Sequence, residues 1–150
     1  MKKGFRKGFT LIELLIVLAV IAALLAVVTP IALNAVRRAN LTEIASNLRN
    51  IKTAAETYIL MEEDALSDGI NVDKLYKSGY LTTDPNEGKE SDPYSIELTE
   101  DPSSKNITVT IEYTGPDVSS QEDINKLHEI YSEVSTDTTN PQVVFTIKNW

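Results

Sequence analysis

An α+β fold, with one long N-terminal helix packed on a small antiparallel sheet, is the architecture this chain predicts. Fifteen consecutive apolar residues run from Leu14 to Val28. A one-sided apolar stripe at three- and four-residue spacing then continues to Ile59, which is helical periodicity. After residue 93 the pattern changes to alternation, as expected of half-buried strands. The 150 residues are 42% hydrophobic and 24% charged, an ordinary globular average that hides this segregation.

Charge is segregated in the same way. Lys2, Lys3, Arg6 and Lys7 give the first eight residues a charge of +4, and the rest holds 10 bases against 22 acids. An acidic surface repels phosphate backbones, so direct nucleic-acid binding is disfavoured. The chain has no cysteine and a single histidine, His128. That excludes disulfide scaffolds, thiol catalysis and multi-histidine metal sites.

The basic start is followed by Phe9–Val36, 28 residues with one charge, Glu13. Roughly 20 apolar residues in a helix cross the ~30 Å hydrocarbon core of a bilayer. A secretory signal peptide or a plain membrane anchor would share this pattern, with the bases left on the cytoplasmic side. Neither explains Glu13. A carboxylate in hydrocarbon costs several kcal/mol unless it is paired, neutralised or near the interface. Pro30 lacks an amide hydrogen and predicts a kink or local melting, with Thr29 and Asn34 as candidates to bond the freed carbonyls.

From Arg37 the helix turns amphipathic. Leu41, Ile44, Ala45, Leu48, Ile51, Ala55, Tyr58 and Ile59 form the apolar stripe, and Glu43, Asn47, Asn50, Lys52, Thr53, Glu56 and Thr57 lie off it. No proline or glycine interrupts residues 31–68, so one helix is expected from about Thr10 to about Leu66, ended by Ser67-Asp68-Gly69. A coiled-coil seam is the alternative, but the stripe is short for one. Arg37 and Arg38 suit either snorkelling toward headgroups or pairing with acids of a neighbouring subunit.

Residues 70–81 read as a short helix carrying Ile70, Val72, Leu75 and Tyr76, stopped by Gly79, with Tyr80-Leu81 packing back. Thr82–Pro93 is rich in turn formers. Three strands follow, with Tyr94, Ile96 and Leu98 inward in the first. Ile107, Val109, Ile111 and Tyr113 point inward in the second, and Val143, Phe145 and Ile147 in the third. Ser119 to Asp123 opens a helix with a cap and an acidic first turn, and Ile124, Leu127, Tyr131 and Val134 form its expected apolar face.

Other features invite chemistry less strongly. Asp84, Glu87, Glu90 and Asp92 form an acidic loop that could offer oxygens to calcium, but in no fixed ligand pattern. The triplets at Asn40 and Asn106 match a glycosylation signal, yet both fall in regular structure. Five of the six tyrosines lie on apolar faces, where packing accounts for them. There is no Gly-x-Ser-x-Gly elbow, no second histidine and no glycine-rich phosphate loop, so an enzyme is not expected.

The stretch Gly4-Phe5-Arg6-Lys7-Gly8-Phe9-Thr10-Leu11-Ile12-Glu13-Leu14-Leu15 resembles the leader and mature N-terminus of type IV pilins and type II secretion pseudopilins. The resemblance implies a leader at 1–8, cleavage between Gly8 and Phe9 by a prepilin peptidase, and N-methylation of Phe9. It implies that 9–36 forms the transmembrane and filament-core helix, and 37–150 a pilin-like head. Glu13 falls on the family's assembly glutamate. Its one-turn spacing from Phe9 would allow a pair within one subunit, whereas the family implies pairing with the Phe9 amine of a neighbour. Pro30 falls where many members carry a kinking proline. A single-pass membrane protein with its head outside would polymerise with itself or other pilins, served by a platform protein and an assembly ATPase. A pseudopilin, or a minor tip subunit for adhesion or DNA uptake, is the alternative. Calcium-binding C-terminal loops occur in some pseudopilins. The missing cysteine pair and the last helix depart from many Gram-negative major pilins.

Overall fold

The computed structural model describes residues 8–62, 69–89, 91–104 and 106–148. They divide into two compact units, one up to Arg38 and one from Ala39. In chain order the elements are α1 (Leu11–Met61), α2 (Val72–Lys77), β1 (Tyr94–Glu100), β2 (Asn106–Tyr113), α3 (Gln121–Ile130) and β3 (Gln142–Lys148).

In the first unit α1 buries nothing. Phe9 is 83% exposed, and even Ile21, the least exposed large apolar side chain before Val36, stays 46% exposed. Helical structure runs unbroken through Pro30, so the local melting expected there does not occur. Proline removes the amide that would bond the Ala26 carbonyl. The Thr29 hydroxyl donates instead to Leu25, at 2.7 Å, and so does not replace the lost bond.

The second unit holds the core. Its sheet has the order β1-β2-β3, antiparallel throughout, with Ile111 opposite Ile96 on one side and Val143 on the other. The predicted inward residues all face the core, joined by the stripe of α1 from Leu41 to Tyr58. Ala54 is buried there too, because the contact is broad enough to take in a second row of small side chains.

Long-range polar contacts fasten α1 to the sheet and to the segments on either side of α3. Asn47 Nδ2 donates to the Tyr94 hydroxyl at 3.0 Å. Burial pushes the Tyr94 phenol up to about 12, the bond from Asn47 opposing it. Tyr94 packs on Tyr113 with centroids 4.9 Å apart, and the Tyr113 hydroxyl donates to Asp117, which also accepts from Asn40. Farther along, Lys52 Nζ lies 2.6 Å from Glu133, whose same oxygen accepts from the Tyr131 hydroxyl at 2.6 Å.

Several local expectations change. α1 ends at Met61, and the predicted stop at Leu66 to Asp68 lies outside the described residues. Tyr76 points outward, 41% exposed, because the six residues of α2 have room for only Val72 and Leu75 on their buried face. Gly79 does end that helix. At φ +81° it forms a Schellman motif, with the Tyr80 amide on the Leu75 carbonyl and its own amide on that of Tyr76. α3 stops at Ile130, so Tyr131 is its C-cap and Val134 belongs to an isolated bridge with Val143 rather than to the helix.

Candidate functional site

The chemistry of the N-terminal unit sits where α1 begins. Gly8, Phe9 and Thr10 precede the helix and are exposed. A Cβ placed on Gly8 would meet nothing within 4 Å, and its φ lies outside the left-handed region. The fold itself therefore makes no demand for glycine at this position.

Thr10 and Glu13 satisfy one another. The Thr10 backbone amide donates to Glu13 Oε2 at 2.8 Å, and the Thr10 hydroxyl reaches the same oxygen at 3.0 Å. In return the Glu13 amide approaches Thr10 Oγ1 at 3.3 Å. This is a capping box: the first helical amides lack partners, and a Thr three residues before a Glu supplies them reciprocally. The negative carboxylate also lies at the positive end of the helix dipole. Among the described residues no donor reaches Glu13 Oε1. One carboxylate oxygen is thus committed to the cap and the other accepts no bond from the described residues, at the start of an apolar stretch that stays exposed as far as Val36.

The other predicted site residues do not come together as one centre. Asp84 Oδ1 accepts from the Asn86 amide at 2.9 Å, closing a local turn. Asp84 and Asp92 border a cavity of about 380 Å³ together with Asp73. Glu87 is exposed and away from that lining, and Glu90 lies outside the described residues. Among the described residues no group of three or more His, Cys, Asp or Glu side chains is arranged to hold a metal ion. Asn40 is occupied by Asp117, and Asn106 is the first residue of β2.

Thr10, which positions Glu13, is the residue of this site that the sequence analysis does not single out. Its signal was present, since Thr10-Leu11-Ile12-Glu13 before an apolar run is the capping-box pattern.

Comparison with known proteins places these features in a class. Residues 3–29 match the family model described as the prokaryotic N-terminal methylation motif. Two fimbrial proteins of Pseudomonas aeruginosa are each 36% identical to the chain over 75 residues, which is 50% of this chain and 49% of each relative. The match thus spans about half the length of these curated relatives. No solved structure matches. The chain is thus similar to the N-terminal methylation motif at its start and to fimbrial proteins over half its length, and a long apolar N-terminal helix precedes a small α+β head.

Proposed function

We propose that this chain is the structural subunit of a type IV pilus filament, held in the cytoplasmic membrane before assembly. A prepilin peptidase removes residues 1–8 and methylates the new amine of Phe9. The observation that carries this reading is the start of α1, where an exposed apolar stretch opens with a carboxylate that has one oxygen capped and, among the described residues, no donor on the other.

Processing and capping are compatible. Both Thr10 donors lie beyond the cut, so removal of the leader leaves the box intact. Cleavage adds a cationic amine at Phe9, and Glu13 Oε1 is available to the amine of a neighbouring subunit. In a low-dielectric filament core an unpaired carboxylate is costly, so pairing fixes the axial register between subunits. The helix is long and apolar enough to cross a membrane. Moving it from lipid into a fibre core exchanges one apolar surrounding for another, so packing and charge pairing decide the balance. Extraction then requires work from a motor, supplied by a platform protein and a cytoplasmic ATPase. Head-to-tail contacts repeated without closure give an open helical polymer.

Pro30 bends the helix in this reading. Its carbonyl partner at Ala26 has lost an amide, and the Thr29 bond to Leu25 adds a second bending influence one residue away. No catalytic role and no resident cofactor is assigned. Calorimetric titration of the full chain with calcium checks the acidic loop, and a saturable heat at millimolar calcium would reopen it.

Mass spectrometry of sheared surface material and of the membrane fraction tests the reading. An abundant species starting at methylated Phe9 in sheared fibres is expected. The same mature species confined to the membrane fraction would favour a pseudopilin or a rare minor subunit. Cleavage near Ala26 would contradict the whole account and leave a secreted protein.

A further inference from the structure

The sheet has two edges, and the fold treats them differently. On the edge of β1, Asn86 stands in for a neighbouring strand: its Nδ2 donates to the Tyr94 carbonyl and its Oδ1 accepts from the Tyr94 amide, both at 3.1 Å. Pro93 precedes this strand, and Glu97 and Glu100 place charge along it. Proline, charge and local cover are how proteins keep edge strands from pairing. β3 is covered only at its start, where Val134 bridges Val143 and the Ser135 amide bonds the Gln142 carbonyl at 2.8 Å. We propose that the rest of the β3 edge pairs with the same edge of a second copy of this chain, antiparallel, about a two-fold axis at Thr146. The inference concerns the head alone and does not depend on polymerisation.

The ladder fixes which groups are open. The Tyr113 amide bonds the Pro141 carbonyl at 3.0 Å, and Ile111 lies opposite Val143. Antiparallel bonds alternate along a strand, so Val143, Phe145 and Ile147 bond to β2, while Gln142, Val144, Thr146 and Lys148 direct their backbone groups outward. Among the described residues nothing bonds those of Thr146 and Lys148. Burial follows the same division. Val143 is fully buried beneath the bridge, whereas the inward-facing Phe145 and Ile147 are only half-buried and Val144 is exposed.

A second β3 completes both the backbone and the core. With Thr146 opposite Thr146, the two residues exchange two hydrogen bonds, and each Lys148 amide reaches the other copy's Val144 carbonyl. Phe145 then lies opposite the second copy's Ile147 on the core side, an aromatic to β-branched cross-strand pair formed twice. The β1 edge does not fit β3 in this way. Its outward backbone groups belong to residues of the core-facing set, Tyr94, Ile96 and Leu98, and those of β3 to residues whose side chains face away from the core. Pairing β3 with β1 would therefore put the two cores on opposite faces of one sheet.

Charge selects the same partner. From Phe9 onward acids outnumber bases 22 to 10, so two copies repel one another over most of their surface. β3 contains no acid. Its one charge, Lys148, makes no ion pair among the described residues. Pairing sets each Lys148 beside the second copy's Val134 bridge, next to the half-exposed Glu133 carboxylate.

The chain has no cysteine, so a single introduced thiol reports the contact. Residues paired at the axis have Cα atoms about 5.5 Å apart, within disulfide range. The full chain carrying Thr146→Cys, in detergent micelles under mild oxidation, should form a disulfide dimer. Its yield should exceed by about tenfold or more that of Thr99→Cys, which lies in the same cross-strand row on the β1 edge. Adding Lys148→Pro removes an amide hydrogen directed away from β2. It should lower the Thr146→Cys yield about fivefold or more, with circular dichroism unchanged. Equal yields for Thr146→Cys and Thr99→Cys, or a Thr146→Cys yield indifferent to Lys148→Pro, would overturn the proposal. A Thr146→Cys chain that stays monomeric would overturn it as well, leaving the edge open or taken by an extended segment of another protein.

Discussion

The two units of this protein solve opposite problems. The head satisfies itself: among the described residues twenty-one buried apolar side chains form one cluster, Asn47 of α1 bonds Tyr94 of β1, and Lys52 of α1 bonds Glu133, 81 positions on, in the turn after α3. The described part of the N-terminal unit satisfies its backbone and its helix cap but buries no apolar side chain. From Leu14 to Val28 its side chains are a continuous exposed apolar surface, of the kind that marks an interaction site. One chain can thus be stable as a subunit and unfinished as an object. Mutations should separate the two properties cleanly.

The largest expected effect is all-or-none and leaves the head untouched. At Gly8 an added Cβ meets nothing within 4 Å, so Gly8→Val is chosen as the variant that spares the fold. It should abolish leader removal while circular dichroism and head stability stay at wild-type values. Immunoblots showing normal maturation would break the separation from that side.

Core changes should do the reverse. Leu48 is fully buried on α1, and Leu48→Ala should cost the head about 2–5 kcal/mol by denaturant unfolding, while leader cleavage continues. Gly115 sharpens the point. A Cβ there would fall on the Tyr113 phenol, a buried ring held by Asp117. Gly115→Ala should cost about 1–3 kcal/mol through forced displacement, and the Tyr113→Phe background should recover part of it.

The smallest effect is electrostatic. Bonds from Lys52 and then Tyr131 hold the Glu133 carboxyl below the ordinary carboxylate range, and its bond to Glu133 holds Lys52 above the ordinary lysine range. A carboxyl depressed in the folded state contributes stability at neutral pH that is lost as pH falls through and below its unperturbed value of 4.5. The Lys52 contribution is lost only in the alkaline range, above 10.5. Glu133 is 47% exposed, so solvent screening keeps the pair to under about 1 kcal/mol. Glu133→Gln should flatten the acid limb of a stability–pH curve without changing fibre yield.

What could be read in advance follows the range of the interactions. The apolar run, the amphipathic stripe and the three alternating strands are local patterns and were legible, the stripe and the strands with their buried faces. Gly79 was legible because a positive φ leaves a residue-type signature. Val134 was misplaced because the Ile124-Leu127-Tyr131-Val134 spacing stays helical after α3 has stopped at Ile130. Its partner across the bridge, Val143, is invisible to local pattern. Asn47 with Tyr94, Asn40 with Asp117 and Lys52 with Glu133 were likewise hidden, since they pair only once the sheet is in place. At the N-terminus Glu13 stood out by its cost in hydrocarbon, whereas Thr10 looked ordinary until its reciprocal bonds with Glu13 were seen.

The proposed role of Glu13 in subunit register decides the reading, and competition measures it directly. Tagged Glu13→Leu subunits, co-expressed with wild-type chain, should be cleaved, membrane-inserted and folded in the head, yet be depleted from sheared fibres by about tenfold or more. Incorporation of the tagged variant in proportion to its membrane abundance would contradict the account, because register would then be set without the carboxylate.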